Sequence, residues 1–324
     1  GLMATVAVFQ SQPSQACTGI TLTAKDSTRI LARTIEWGGS DLNSCYVVVP
    51  RGYTVQSYVP GGQDGMKFTA KYGYVGLSVE QKEFVAEGLN EKGLSAGLFY
   101  FPNYGQYEAY KAEWKSSSIA DLQLVSWVLG NCQTVDEVME SLKEIVDGQL
   151  HFYENELGVL TNSPGFEWQL TNLNNYVNLY AGSAQPQEFG KLTLRSFGAG
   201  SGFLGMPGDV TPPSRFVRAA FYQTTAPQQE NAHQTVLQGF QILNNFDIPV
   251  GIEFQGGKIP ANIPSATQWT SATDMRHRMI YFRTMYNASI RSIDLNKIDF
   301  QRVKYRAVPL DTVKEQPVME VSIR

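Results

Sequence analysis

The amino-acid sequence predicts an α+β fold in which sheets stack on one another and helices lie outside them. Strand signals dominate residues 18–101, two amphipathic helices follow, and strand, helix and strand text then alternates to residue 324. The 324 residues are 43% apolar and 12% aromatic, enough for one large domain or two ordinary ones to bury a core without disulfide staples or a structural metal. Twenty-nine glycines and sixteen tyrosines fit many strands joined by tight turns.

Residues 19–24, 29–37, 45–50, 82–88 and 94–101 are rich in β-branched and aromatic types and read as strands. Turn sequences separate them: Lys25-Asp26-Ser27, Gly38-Gly39-Ser40, Pro60-Gly61-Gly62 and Asn90-Glu91-Lys92-Gly93. A helix is predicted after Ser118, with Ile119, Leu122, Val125 and Leu129 on its apolar face. A second follows Thr134, where Glu137 completes a capping box and Val135, Val138, Leu142 and Ile145 form the buried stripe. Strand-like text resumes near 150–170, and a Gly-rich stretch covers 190–208. Pro212 and Pro213 lead into a helix at 214–224 capped by Ser214, and a longer helix is predicted over 229–245. Residues 266–324 alternate like paired strands, among them 268–273 and 278–282. There is no internal repeat.

The net charge is −4, with no basic stripe and no long run of charge, which disfavours a nucleic-acid partner. After residue 16 no apolar run approaches the ~20 residues of a membrane span. Cys17, Cys45 and Cys132 form neither an even framework nor a CxxC pair, and His151, His233 and His277 are scattered, so a histidine-based metal site is not expected. A papain-like Cys–His pair has no local support, although spacing leaves it open.

Residues 2–9 form a short, mostly apolar run, followed by polar residues and then Ser14 and Ala16, three places and one place before Cys17. This pattern matches the end of a secretory signal peptide cleaved before Cys17, and so predicts export to the periplasm or the exterior. The alternatives are a short propeptide and an ordinary first strand.

From Cys17 onward a series of motifs appears in order: Cys17-Thr18-Gly19, Arg33-Thr34-Ile35-Glu36-Trp37, Val49-Pro50-Arg51-Gly52-Tyr53, Asn90-Glu91-Lys92-Gly93-Leu94 and Phe101-Pro102-Asn103-Tyr104. Further along come Leu160-Thr161-Asn162-Ser163-Pro164, Gly205-Met206-Pro207-Gly208-Asp209 and Pro213-Ser214-Arg215-Phe216. Together these resemble the choloylglycine hydrolase family, which holds bile salt hydrolases and penicillin V acylases. The resemblance spans nearly all of residues 17–324. It implies a single four-layer αββα sandwich of the N-terminal-nucleophile hydrolase type, with residues 1–16 removed. It also implies a small-molecule amide substrate and no cofactor.

A thiolate is the reactive form of cysteine, and an α-amine with a pKa of about 8 can act as a base near neutral pH. Placing both groups on one residue removes the need for a histidine, and this requires Cys17 to be first in the mature chain. The resemblance implies a role for each further residue. Arg33 lies beside the thiol and lowers its pKa. Glu36 holds the α-amine, in a position where the family usually has Asp. Asn162 offers its side-chain NH₂ to the oxyanion, and the Tyr100 N–H is the second donor. The Tyr100 side chain lines the substrate pocket; this position is typically Asn in bile salt hydrolases and Tyr in penicillin V acylases. Arg215 supports the polar network under the nucleophile, and Trp37 walls the site. The plain alternatives are a buried core cysteine, an edge-strand arginine, a solvated carboxylate, a turn asparagine, a helix first-turn arginine and core aromatics. Cys45 and Cys132 are expected to be structural.

Residues 180–213 resemble an assembly loop that reaches into a neighbouring subunit, implying a homotetramer; the alternative is a Gly-rich surface excursion. Substrate candidates are penicillin V-type amides, conjugated bile salts and N-acyl homoserine lactones. A second class of function is a non-catalytic, unprocessed relative that acts as a binding protein.

Overall fold

The computed structural model describes residues 15–60, 62, 64–100, 110–142, 160–161, 165–253 and 260–323. The elements are, in chain order, β1 (Gln15–Thr23), β2 (Arg29–Trp37), β3 (Cys45–Val49), β4 (Thr54–Gln56), β5 (Lys67–Thr69), β6 (Tyr74–Ser78), β7 (Val85–Asn90) and β8 (Ser95–Gly97). The helices α1 (Asp121–Asn131) and α2 (Val135–Ser141) come next, then β9 (Leu160–Thr161), α3 (Phe166–Asn172), β10 (Gln187–Phe189) and β11 (Leu192–Leu194). The chain finishes with α4 (Pro212–Thr225), α5 (Ala232–Leu243), β12 (Thr267–Asp274), β13 (Met279–Thr284), β14 (Asn287–Asp294) and β15 (Arg306–Pro309).

Two sheets carry the architecture. One has the order β14-β13-β12-β2-β1-β9 and the other β15-β3-β6-β7-β8. Their inner faces meet through Cys17, Ile35, Leu77, Ala86, Trp269 and Phe282, and further along through Val48, Val75, Leu89 and Ile280. The outer face of the six-stranded sheet packs Ile20, Leu22, Ile30 and Ala32 against Phe216, Ala219, Val236 and Phe240 of α4 and α5. On the five-stranded sheet, Val47, Val49, Tyr74 and Val85 meet Val125 and Leu129 of α1. The result is the expected αββα order of layers.

Local chemistry explains most boundaries. The Thr134 hydroxyl accepts from the Glu137 N–H, while the Glu137 carboxylate takes the Gln133 N–H one residue earlier than a capping box requires. Asn231 caps α5 by accepting from Gln234 N–H. The turn after β7 is built by Asn90, whose Oδ1 accepts from Lys92 and Leu94 N–H and whose Nδ2 donates to the Leu129 and Cys132 carbonyls at the end of α1. Gly93 closes that turn at φ +92°.

Several expectations need correction. In α2 Val135 is exposed rather than part of a buried stripe, and Val138 is its buried residue. α4 starts at Pro212 with Thr211 as its N-cap, and Ser214 lies inside the helix and donates to Asp209. Proline is well placed at the first helical position, so the helix extends back over both prolines. Residues 166–172 are helical rather than strand-like. The strand β6 was not anticipated; it is buried along its whole length, so no alternation marks it. The predicted long helix at 229–245 runs only over Ala232–Leu243.

No helix among the described residues is long and apolar enough to cross a membrane.

Candidate active site

The strand β1 pairs with β2 in antiparallel register, placing Cys17 opposite Ile35 and Ala16 opposite Glu36. Directly paired residues share a face, and successive residues alternate. Cys17, Arg33 and Ile35 therefore point between the sheets, while Thr18, Thr34 and Glu36 point toward α4. The strand runs on through Gln15 and Ala16, so in this chain the nitrogen of Cys17 is a strand amide.

Cys17 is buried, and Arg33 reaches it from the neighbouring strand: its Nη2–H donates to the sulfur at 2.9 Å. The guanidinium also donates from Nη1 to the Leu98 carbonyl at 2.7 Å, and its Nε lies 3.4 Å from the Glu87 carboxylate. Phe99 lies 4.3 Å from the guanidinium carbon and Trp269 5.5 Å, measured to ring centroids. Burial pushes the Cys17 thiol up; the Arg33 cation pulls it back, Glu36 pushes it further up, and Arg215 and the Tyr100 backbone N–H lower it. The same N–H that the family resemblance assigns to the oxyanion thus points at the sulfur. The Tyr100 side chain is about half exposed, at 48%.

Glu36 lies on the helix side of the sheet. It is buried, and among the described residues neither carboxylate oxygen meets a well-aligned hydrogen-bond donor, although the Thr34 hydroxyl is close enough to lower its pKa. Burial raises its pKa to about 7, against the pull of the Arg215 cation. Arg215, fully buried on α4, donates from Nη1 to the Cys17 carbonyl at 2.9 Å and to the Thr18 hydroxyl at 2.5 Å, and from Nε to the Val210 carbonyl. Burial lowers its own pKa, and the Glu36 and Cys17 anions oppose that.

Trp37 packs partly buried against the cluster that contains Cys17, and its Nε1–H donates to Ser40. Opposite it, β12 carries a bulge: Thr267 pairs with Glu36 and Trp269 with Ile35, so Gln268 is the extra residue. Its side chain collects the carbonyls of Trp37 and Ser40 and the N–H of Leu42, which fixes the turn beside the site. Asn162 lies outside the described residues. The strand β9 ends at Thr161, paired with Thr18 next to Cys17.

Five of the six residues predicted to be catalytic are thus within the described structure, and they converge: Cys17 and Arg33 from one side of the sheet, Glu36 and Arg215 from the other, and Tyr100 through its backbone. Trp37 borders them. Cys45 opens β3 and Cys132 caps α1, both apart from this cluster. Sequence reasoning missed Glu87 and Gln268. Glu87 precedes the Gly-Leu-Asn-Glu-Lys-Gly run and could have been noticed as a carboxylate in a strand whose other five residues are apolar or Asn. Gln268 carried no such signal.

The chain is 30% identical over 315 residues to a bile salt hydrolase/transferase of Clostridium perfringens, covering 87% of this chain and 93% of that one. It is 25% identical over 333 residues to a penicillin V acylase of Pectobacterium atrosepticum, covering 87% and 81%. The solved structure of a mutant of the conjugated bile acid hydrolase from Clostridium perfringens superposes with a TM-score of 0.79 at 27% identity, covering 94% of this chain and all of that one. The linear amide C–N hydrolases of the choloylglycine hydrolase family match over residues 17–146 and 144–306, and the chain belongs to that family.

Proposed function

We propose that the chain, once shortened to begin at Cys17, hydrolyses amides with a flat aromatic acyl group, of the penicillin V type. The observation that carries the chemistry is the buried Cys17 sulfur 2.9 Å from an Arg33 nitrogen. A permanent cation beside a buried thiol favours the thiolate.

In the proposed reaction the Cys17 thiol gives its proton to its own α-amine, and the sulfur attacks the amide carbonyl. The Tyr100 N–H and Asn162 would hold the oxyanion; a preorganised donor of this kind contributes about 3–4 kcal/mol. The α-ammonium returns the proton to the leaving nitrogen as the C–N bond breaks, leaving a thioester. Water then attacks the thioester, the amine takes the water's proton, and the thiol is restored as the acid departs. Glu36 is the counter-charge for the ammonium. Its burial supports this: among the described residues the Arg215 cation and the Thr34 hydroxyl do not offset that burial, so a further cation beside it is favoured. While the Ala16–Cys17 bond is intact there is no such cation, so residues 1–16 keep the enzyme inactive; we read them as an export segment removed at that bond.

Tyr100 favours the aromatic acyl group, since an exposed ring beside the nucleophile offers a stacking face. The 30% identity to a bile salt hydrolase/transferase favours conjugated bile salts as a second reading. Purified protein starting at Cys17 should release phenoxyacetate from penicillin V faster than glycine from glycocholate, and the chain retaining residues 1–16 should do neither. A reversed ratio would transfer the assignment to bile salts; equal rates would remove Tyr100 as a determinant. We read the protruding segment around β10 and β11 as an assembly element of a homotetramer, on the strength of its exposed apolar side chains.

A further inference from the structure

Arg33 serves the thiol only if its guanidinium faces the right way, and apart from the Thr34 carbonyl on its own strand the groups that fix it come from the opposite sheet. A guanidinium is a planar fork, so holding two of its nitrogens sets the direction of the third. Nη1 is held by the carbonyls of Leu98 at 2.7 Å and Ala86 at 3.4 Å. Nε donates to the Thr34 carbonyl of its own strand at 3.4 Å and forms an ion pair with Oε2 of Glu87, also at 3.4 Å. Nη2 is then left to point at Cys17.

Glu87 is itself anchored. Its Oε1 accepts from the Ser271 hydroxyl at 3.0 Å and the Thr273 hydroxyl at 3.4 Å, both on β12. Ser271 is the direct cross-strand partner of Arg33. Arg33 thus reaches from the six-stranded sheet to β7 and the segment after β8, while Glu87 reaches from β7 back to β12. Both side chains are buried. A buried ion pair of this kind adds little net stability over apolar side chains of the same volume, so stability alone does not account for it. Burial pushes the Glu87 carboxyl up and the Arg33 cation pulls it back.

We propose that Glu87 is a positioning residue for the reaction: it holds the Arg33 guanidinium in the orientation that delivers Nη2–H to the Cys17 sulfur. This rests on Cys17 being the nucleophile. It makes a prediction opposite in sign to simple electrostatics. Deleting a negative charge from this buried cluster would, with Arg33 held still, favour the thiolate. If Glu87 positions Arg33, deletion disfavours it.

The test is the alkylation rate of Cys17 by iodoacetamide in protein beginning at Cys17, followed by mass on the Cys17 peptide as a function of pH. Glu87→Leu removes both acceptor and charge; Glu87→Gln keeps an acceptor and the shape. At pH 7, Glu87→Leu should slow alkylation about tenfold, and Glu87→Gln about threefold, with the midpoint moved to higher pH. In the same variants kcat should fall while KM stays within about twofold. Alkylation as fast as or faster than in the parent would overturn the proposal, as would a lowered melting temperature with an unchanged Cys17 rate. If Glu87→Leu does not fold, Glu87→Gln decides alone. A parent whose Cys17 resists alkylation and which lacks amidase activity would overturn the nucleophile assignment and this inference with it; a reactive parent with unaffected variants removes the inference alone.

Discussion

Glu36 is the residue at which the unshortened chain carries an unmet electrostatic demand. Its carboxyl is buried and, among the described residues, meets no well-aligned hydrogen-bond donor; burial outweighs the Arg215 cation and raises its folded pKa to about 7 against 4.5 for the free group. The folded state therefore binds more protons than the unfolded state between these values, and stability falls as pH rises through that window. With residues 1–16 present, this site should cost roughly 2–3 kcal/mol between pH 5 and pH 8. Glu36→Gln should flatten that part of the profile, measured by urea unfolding at the two pH values. An unchanged pH dependence would mean that Glu36 is already paired. If, as proposed, the free α-ammonium of protein starting at Cys17 pairs with Glu36, the carboxyl pKa should drop and the same substitution should instead abolish activity. The register sets Ala16, the residue whose removal would free the Cys17 nitrogen, opposite Glu36.

At the scale of elements, the site depends on β12 losing register opposite Glu36. The bulge turns Gln268 toward the 37–42 turn, where it satisfies three backbone groups. Gln268→Ala would leave these without partners; each unsatisfied buried group costs about 1–3 kcal/mol, so a loss of at least 2 kcal/mol is expected in denaturant unfolding. Trp37 sits at the start of that turn, so KM should rise more than kcat falls. A stable variant with unaltered kinetics would show the turn to be held by other contacts. This bulge illustrates what the sequence could and could not convey. The hairpin of β1 and β2 was legible because turn residues at 25–27 separate two β-rich runs, and the motifs carried Cys17, Arg33, Glu36 and Arg215 into place. The bulge was not legible, because a one-residue register shift leaves no composition signal. Glu87 was missed for a related reason: its meaning lies in a pairing between sheets, with Arg33 on one and Glu87 on the other. The central strand β6 has neither alternation nor flanking polar positions to announce it, since both its faces are buried.

At the scale of the whole molecule, two described segments stand clear of the core, 313–323 and 177–204. From Val177 to Leu204 the chain presents Val177, Phe189, Leu192, Leu194, Phe197 and Leu204 to solvent, with Phe197 fully exposed. The hairpin of β10 and β11 is exposed at every residue, and an isolated two-stranded hairpin is at best marginally stable in water. Exposed apolar patches of this kind fit the subunit contact proposed above. Its return to the fold is anchored firmly: Arg218 on α4 donates to the carbonyls of Pro207 at 2.8 Å and Asp209 at 2.7 Å. Three residues earlier on the same helix, Arg215 holds the Cys17 carbonyl. Assembly through the hairpin would therefore bear on the helix that supports the nucleophile. Replacing Phe189 and Leu192 together by Ser should lower the solution mass from that of a tetramer toward smaller species, measured by light scattering on a sizing column. It should also lower the melting temperature and reduce kcat several-fold, since α4 loses the support of a docked loop. A parent that is monomeric at micromolar concentration, or a double variant of unchanged mass, would assign these side chains to something other than subunit contact.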